Sequence, residues 1–297
     1  MKITVIGESN IDIAVKPHAE ANAKGCVPGN IAFHHGGVAR NIAHNLCLLN
    51  HEVMLVSVFF FFFFANRMIS DCEQIGMDLS LSDQFEDVKS PIFLSFNDVK
   101  GNMVSAVSDV RLNDRMDLGW LKDKMEAINT SDIVVADTLL STEALSYLID
   151  HCEAPLYIDT VSPGKAVRFA EAMKTSKKQA VFALKCNMAE AEQITGEGTA
   201  IEASKKLNDN GVNNIYLTIG SRGAIYCSEG VVTTYPALPT AIVNVTGSGD
   251  AFFAGVIHAN AIGHFGKDAV LFGLKAAQHN IKNEAPVNPT LRVSMFI

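Results

Sequence analysis

Short aliphatic and β-branched runs recur along the chain, at residues 3–7, 53–58, 133–136, 156–159, 180–184 and 215–219, each followed by a segment with helical apolar spacing. A strand period of two alternating with a helical period of about 3.6 predicts crossover connections, because parallel neighbours cannot be joined by a tight turn. The expected fold is α/β, a doubly wound, mostly parallel sheet flanked by helices. Two stretches, about 11–35 and 88–110, break this rhythm. In the second, Ile92-Phe93-Leu94-Ser95-Phe96 and Met103-Val104-Ser105-Ala106-Val107 flank the polar run from Asn97 to Asn102, the pattern of a hairpin. The two insertions either pair into a small sheet standing off the main domain or run as surface loops with some strand character. No repeat or proline-rich linker divides the chain, so residues 1–297 are expected to form a single domain carrying these insertions.

Composition narrows the function. With 48% hydrophobic and 19% charged residues, the chain has the balance of an ordinary globular protein. A net charge of −8, with no basic run longer than Lys177-Lys178 and Lys205-Lys206, argues against nucleic acid as a partner. An anionic ligand would need a local trap. The six cysteines form no Cys-x-x-Cys pair and meet no histidine cluster, so neither a zinc site nor a disulfide scaffold is indicated and a reducing cytoplasm is expected. The chain opens directly on a strand pattern, Lys2 to Gly7, without signal-peptide features. Its longest apolar run, at about 53–65, is interrupted by Ser57. That run is shorter than the roughly 17–25 residues of a membrane helix, and no membrane span is expected.

The candidate chemistry lies near the C-terminal end. Asn244-Val245-Thr246-Gly247-Ser248-Gly249-Asp250 leads straight into the apolar run that starts at Ala251. Unpaired N–H groups at a helix N-terminus, joined by those of a glycine turn, make an anion site, and Gly247 and Gly249 let the backbone approach an oxygen closely. Asp250 would stand in the first helical turn, placed to take a proton from a substrate hydroxyl. An Asp that merely caps a helix behind a glycine turn fits the same residues. There is no Gly-x-x-x-x-Gly-Lys-Ser/Thr loop, and no Gly-x-Gly-x-x-Gly follows the first strand, so a nucleotide would have to bind in another way.

The stretch from Asn244 to Val256 resembles the second signature of the ribokinase-like (PfkB) carbohydrate and nucleoside kinases. Gly36-Gly37-Val38-Ala39-Arg40-Asn41-Ile42-Ala43 resembles the first, about two hundred residues upstream and in the expected order. Between them, Gly7-Glu8-Ser9-Asn10-Ile11-Asp12 is similar to the opening strand with its sugar-binding Asn and Asp. Asn187-Met188-Ala189-Glu190 is similar to the Asn-x-x-Glu motif, and Thr218-Ile219-Gly220-Ser221-Arg222-Gly223 to the nucleotide-side turn. Gly29-Asn30-Ile31-Ala32-Phe33, the run from Ile158 to Lys165, Asn244-Val245-Thr246 and Asn288-Pro289 resemble the pseudouridine-kinase branch in particular.

The resemblance implies an α/β domain with a β-sheet lid, formed by the two insertions, and ATP-dependent phosphorylation of a primary hydroxyl, with pseudouridine the expected acceptor. Other acceptors of the family, such as ribose, fructose or adenosine, and a catalytically silent binding protein on the same fold are the alternatives. Asp250 is the implied base, with the amides of Gly247, Ser248 and Gly249 stabilising the transferring phosphoryl group. Asn10, Asp12, Gly36, Gly37 and Asn41 are implied to bind the acceptor, and Lys185, Asn187, Thr218, Gly220, Ser221, Gly223, Gly249 and Asn280 to bind ATP. Asn187 and Glu190 would hold Mg²⁺ through water, although the same spacing suits a capping box. A monovalent cation such as K⁺ and a homodimer formed through the lid are also implied by the family. Arg40 reads as a solvated helix residue.

One segment departs from the family. Phe59 to Phe64 are six consecutive phenylalanines where a Gly- and Asp-containing turn is usual. As a strand they would expose about half their rings, an aggregation hazard. The functional alternative is an aromatic wall against a nucleobase.

Overall fold

The computed structural model describes residues 1–20, 25–60, 63–87, 91–99, 103–109 and 111–296, with the backbone alone at 63–64 and 112–113. The first half runs β1 (Lys2–Ile6), β2 (Asn10–Pro17), β3 (Gly29–Gly36), α1 (Val38–Leu48), β4 (Glu52–Val56), β5 (Val58–Phe60), α2 (Phe63–Gln74), β6 (Asp83–Phe85), β7 (Ile92–Asn97) and β8 (Met103–Asp109). Next come α3 (Leu118–Lys122), α4 (Met125–Ile128), β9 (Ile133–Asp137), α5 (Thr142–His151), β10 (Leu156–Asp159), α6 (Pro163–Thr175) and β11 (Val181–Asn187). The chain continues through α7 (Met188–Thr195), α8 (Ala200–Asp209), β12 (Val212–Thr218), β13 (Ala224–Ser228), β14 (Val231–Tyr235), α9 (Ser248–Ala261) and α10 (Lys267–Asn280).

Eight strands form the large sheet, in the order β14-β13-β12-β11-β10-β9-β1-β4. Neighbours from β12 to β4 are parallel, and β13 and β14 are antiparallel additions at one edge. The period-two pattern divides each central strand between two cores. Ile6, Val134 and Ala136 face the layer that holds α5, α6 and α8, while Ile3, Val5, Ile133 and Val135 face α1, α2, α9 and α10. α9 is apolar nearly all round, and its residues from Asp250 to Asn260 are all buried. Among the described residues no helix is long and apolar enough to cross a membrane. All six cysteines are free thiols.

The two stretches that break the βα rhythm pair with each other. β2 lies antiparallel to β3 and parallel to β7, which pairs antiparallel with β8, giving a second sheet in the order β3-β2-β7-β8. Residues 21–24, 88–90, 100–102 and 110 of the two expected insertions, including part of the expected hairpin turn, lie outside the described residues.

The phenylalanine run does not form one strand. Phe59 and Phe60 end β5, and α2 has begun by Phe63, with residues 61–62 outside the described residues. Phe59 is 2% exposed and packs in the core on the α1 and α9 side, so it is not available as a wall for a base.

Candidate active site

Strands β9, β10, β11 and β12 end in Asp137, Asp159, Asn187 and Thr218, at the edge where open α/β sheets bind ligands. The expected phosphate loop sits over this edge. Gly247 is the N-cap of α9 with φ 74°, and a Cβ there would overlap the Pro286 carbonyl, so both the dihedral and the space demand glycine. The Ser248 N–H is taken up within the loop, donating to the Val245 carbonyl at 3.2 Å. Among the described residues no protein acceptor takes the N–H groups of Gly247, Gly249 and Asp250, which leaves a patch of free donors at a helix N-terminus.

Asp250 is buried in the first turn of α9 and accepts a hydrogen bond from Asn41 Nδ2 at 2.7 Å. Burial pushes its carboxyl up to about 7. The Lys185 ammonium, the Asn41 bond and the Arg40 guanidinium work against that rise, and Asp159 adds to it. Lys185, near the end of β11, is ion-paired with Asp159 at 2.9 Å. Burial alone would depress its pKa, but the carboxylates of Asp159, Glu190 and Asp250 outweigh burial and hold it above its ordinary value. A Cβ on Gly249 would lie 2.9 Å from Lys185 Nζ, so a fixed positive charge stands directly beneath the glycine loop.

The other half of the site comes from α1 and the small sheet. Asn10 Oδ1 and the Asp12 carboxylate converge on Gly36, where a Cβ would overlap both. Burial raises the Asp12 carboxyl to about 6, opposed by Arg40 and by a hydrogen bond from Asn10. Arg40 is not a solvated helix residue. It is 5% exposed, and its guanidinium donates to the carbonyls of Gly36 and His35, to Asn41 Oδ1 and toward His44 Nδ1. Local carbonyls and the nearby acidic groups replace the water it gives up. Because Arg40 occupies Asn41 Oδ1, the Asn41 amide nitrogen is the end that faces Asp250.

On the far side of the loop, a cavity of about 660 Å³ is lined by Thr218, Gly220, Ser221, Gly223, Ser248 and Gly249, with Leu238, Ile242, Leu274 and Ile281 as its apolar walls. The expected nucleotide residues Lys185, Asn187 and Asn280 do not line it. Asn280 instead ties the loop down, donating to the Thr246 carbonyl at 3.2 Å and accepting from the Asn288 N–H at 3.0 Å. Asn187 and Glu190 form the capping box: Asn187 Oδ1 accepts from the Glu190 N–H at 3.0 Å, and Glu190 Oε2 accepts from the Asn187 N–H at 2.8 Å. Glu190 also accepts from Thr160 Oγ1 at 2.7 Å and from Asn187 Nδ2 at 2.6 Å. With both oxygens engaged, Glu190 is suited to a metal only through water. Among the described residues no group of three or more His, Cys, Asp or Glu side chains could hold a metal ion.

Sequence reasoning passed over Asp137, which is buried, and gave no role to Asp159, which is paired with Lys185. The available signal was a carboxylate closing an otherwise apolar strand, twice on neighbouring strands, where the two residues stand in register.

Relatives of known description share this arrangement of chain. The profile described as pfkB family carbohydrate kinase matches residues 1–291. The pseudouridine kinase of Escherichia coli (strain K12) is 29% identical over 99% of this chain and 95% of its own length. The guanosine-inosine kinase of Exiguobacterium acetylicum is 25% identical over 93% of each chain. Among solved structures, a ribokinase from Thermotoga maritima superposes with a TM-score of 0.84 at 18% identity, covering 99% of this chain and 97% of the other. With nearly the whole length matched, the chain belongs to the PfkB family of carbohydrate kinases and is a phosphotransferase acting on a sugar or nucleoside hydroxyl.

Proposed function

We propose that this kinase transfers the γ-phosphoryl group of ATP to the ribose 5′-hydroxyl of pseudouridine. The observation that carries the reading is the 2.7 Å bond from Asn41 to Asp250, which brings the two signature segments together at one carboxylate. In this reading Asp250 orients and deprotonates the hydroxyl. Asn10, Asp12 and Asn41 hold the ribose, with Gly36 letting Asn10 and Asp12 close in and Gly37 letting the Glu8 backbone do so. The free amides of the 247–250 turn and the Lys185 ammonium neutralise charge on the transferring group, which is most of what phosphoryl transfer asks of a protein. The 660 Å³ cavity takes the adenosine, whose base suits its apolar walls. Asn187 and Glu190 would hold Mg²⁺ through water, and the ion would supply charge neutralisation on the phosphates.

The similarity to a pseudouridine kinase over nearly the full length favours pseudouridine as acceptor. The same reading makes the small sheet a lid, since β2 carries Asn10 and Asp12 on a sheet separate from the main one. It also makes that sheet a homodimer surface. Ile31, Phe33, Phe96 and Val107 are 44–62% exposed on one face of it, an apolar face that a second copy would cover. The test is ATP consumption over pseudouridine, uridine, adenosine, ribose and fructose, with product mass and fragmentation to locate the phosphate. Preference for another acceptor would overturn the pseudouridine assignment and leave the kinase intact.

A further inference from the structure

Between β1 and β2 the chain leaves the large sheet and enters the small one within three residues, Gly7-Glu8-Ser9. This junction is held from several sides. The Gly7 carbonyl accepts from Ser57 Oγ at 2.6 Å, and the Glu8 carbonyl accepts from the Arg40 N–H at 3.2 Å. The Glu8 N–H donates to the Asp137 carboxylate at 2.8 Å. Asp137 closes β9, is 1% exposed and, among the described residues, makes no ion pair within 4 Å, unlike its in-register neighbour Asp159 with Lys185; the Lys165 ammonium acts on it only from further off. It is held instead by backbone donors, Glu8 on one oxygen and Leu139 at 2.9 Å on the other, with the Ala39 N–H nearby. Ala39 lies in the first turn of α1, which begins at Gly37 without a side-chain cap or an acidic residue of its own. A carboxyl group from a distant strand therefore stands at this helix start. Gly7 is glycine because the Asp137 carboxylate fills the place of its Cβ.

We infer that Asp137 is a positioning residue for phosphoryl transfer: its carboxylate pins the β1–β2 junction at Glu8 and, through the Glu8 carbonyl bonded to the Arg40 N–H, the start of α1, and so sets the spacing of Asn10 and Asp12 against Asn41 and Asp250. The inference rests on the proposed acceptor site, because those residues matter together only if they share one substrate. Loss of the pin releases Glu8 from β9, and with it the junction and the helix start that Glu8 holds together. The acceptor then meets two half-sites out of register, while the nucleotide cavity, built from β12, α9 and α10, is untouched.

The test uses Asp137→Asn, nearly the same shape with one acceptor oxygen fewer, and Asp137→Ser as a second variant should the first fail to fold. Hydrogen exchange on the free protein is expected to show the Glu8 and Arg40 amides exchanging at least about tenfold faster, with the Val135 amide unchanged. With whichever acceptor the wild-type enzyme turns over, KM for that acceptor is expected to rise about tenfold or more while KM for ATP stays within about twofold. Unchanged exchange at Glu8 and Arg40, or an equal rise in both KM values, would overturn the inference. If the wild type phosphorylates none of the acceptors, the proposed function fails, and the exchange measurement still decides the role of Asp137.

Discussion

Asn41 donates its side-chain amide to Asp250 across 209 positions of sequence, and the direction of that bond is imposed by Arg40, which occupies the other end of the same amide. One buried guanidinium on α1 thus determines how the carboxylate at the head of α9 is held.

If Asp250 is the base, Asp250→Asn removes proton acceptance while keeping the shape. Turnover is expected to fall by about 10²–10⁴-fold, with acceptor affinity changed little. Steady-state ATP consumption beside calorimetric titration of the acceptor measures both; normal turnover would exclude the role.

Arg40→Lys keeps the charge and loses the fork, so the side chain can no longer hold Asn41 Oδ1 and the two carbonyls together. A hydrogen bond to a charged group is worth about 1.5–3 kcal/mol. kcat/KM for the acceptor should therefore drop about ten- to a hundredfold, and KM for ATP should stay where it is.

The pH profile carries a signature of the same cluster. Asp250 must be ionised to accept a proton, and burial has moved its carboxyl up to about 7, so kcat/KM should climb as pH rises through that value. Lys185 holds this pKa down. In Lys185→Met the rising limb should move to higher pH, with KM for ATP increased as well. A limb that stayed in place would separate the lysine from the base.

His44 offers a stability test. Its Nδ1 faces Arg40 Nη1 at 3.2 Å, and burial with that neighbouring charge lowers its pKa from 6.5 to about 3. The folded state therefore refuses a proton that the unfolded chain accepts below about pH 6.5. The stability due to neutral His44 is present above that pH and is lost as pH falls toward 3, at up to about 1.4 kcal/mol per pH unit. Between pH 7 and 5 the wild-type Tm should fall more steeply than that of His44→Gln, as scanning calorimetry would show.

Range of interaction separates the features that were legible in the sequence from those that were hidden. The parallel strands were legible because both faces of each are buried, leaving unbroken aliphatic runs. The small sheet was foreshadowed by the two places where that rhythm stops. The antiparallel β13–β14 pair was not anticipated, although its turn has a local signature: Glu229 and Gly230 both take positive φ, 50° and 74°, as tight hairpins require. Asp250 and Asn41 were found through motifs, since each lies in a segment with its own pattern. Arg40 and Asp137 were not, because their surroundings come from residues far away in sequence: the carboxylates of Asp12 and Asp250 around Arg40, and the backbone of Glu8 against Asp137. No local spacing records such partners. The phenylalanine run has no period to read, and the structure divides it between a strand end and a helix start.

The loop before α9 takes its shape from α10 and the segment beyond it. Gly247 packs on the Pro286 carbonyl, Asn244 Nδ2 reaches the Glu284 carbonyl at 2.7 Å, and Asn280 bridges Thr246 to Asn288. Everything in this mould lies downstream of β14 and outside the strands. The anion-binding turn is thereby moulded by the stretch just beyond α10 and not by the strands. A cut or fusion between residues 283 and 288 is expected to silence the enzyme, so assays on tagged preparations should keep that stretch free.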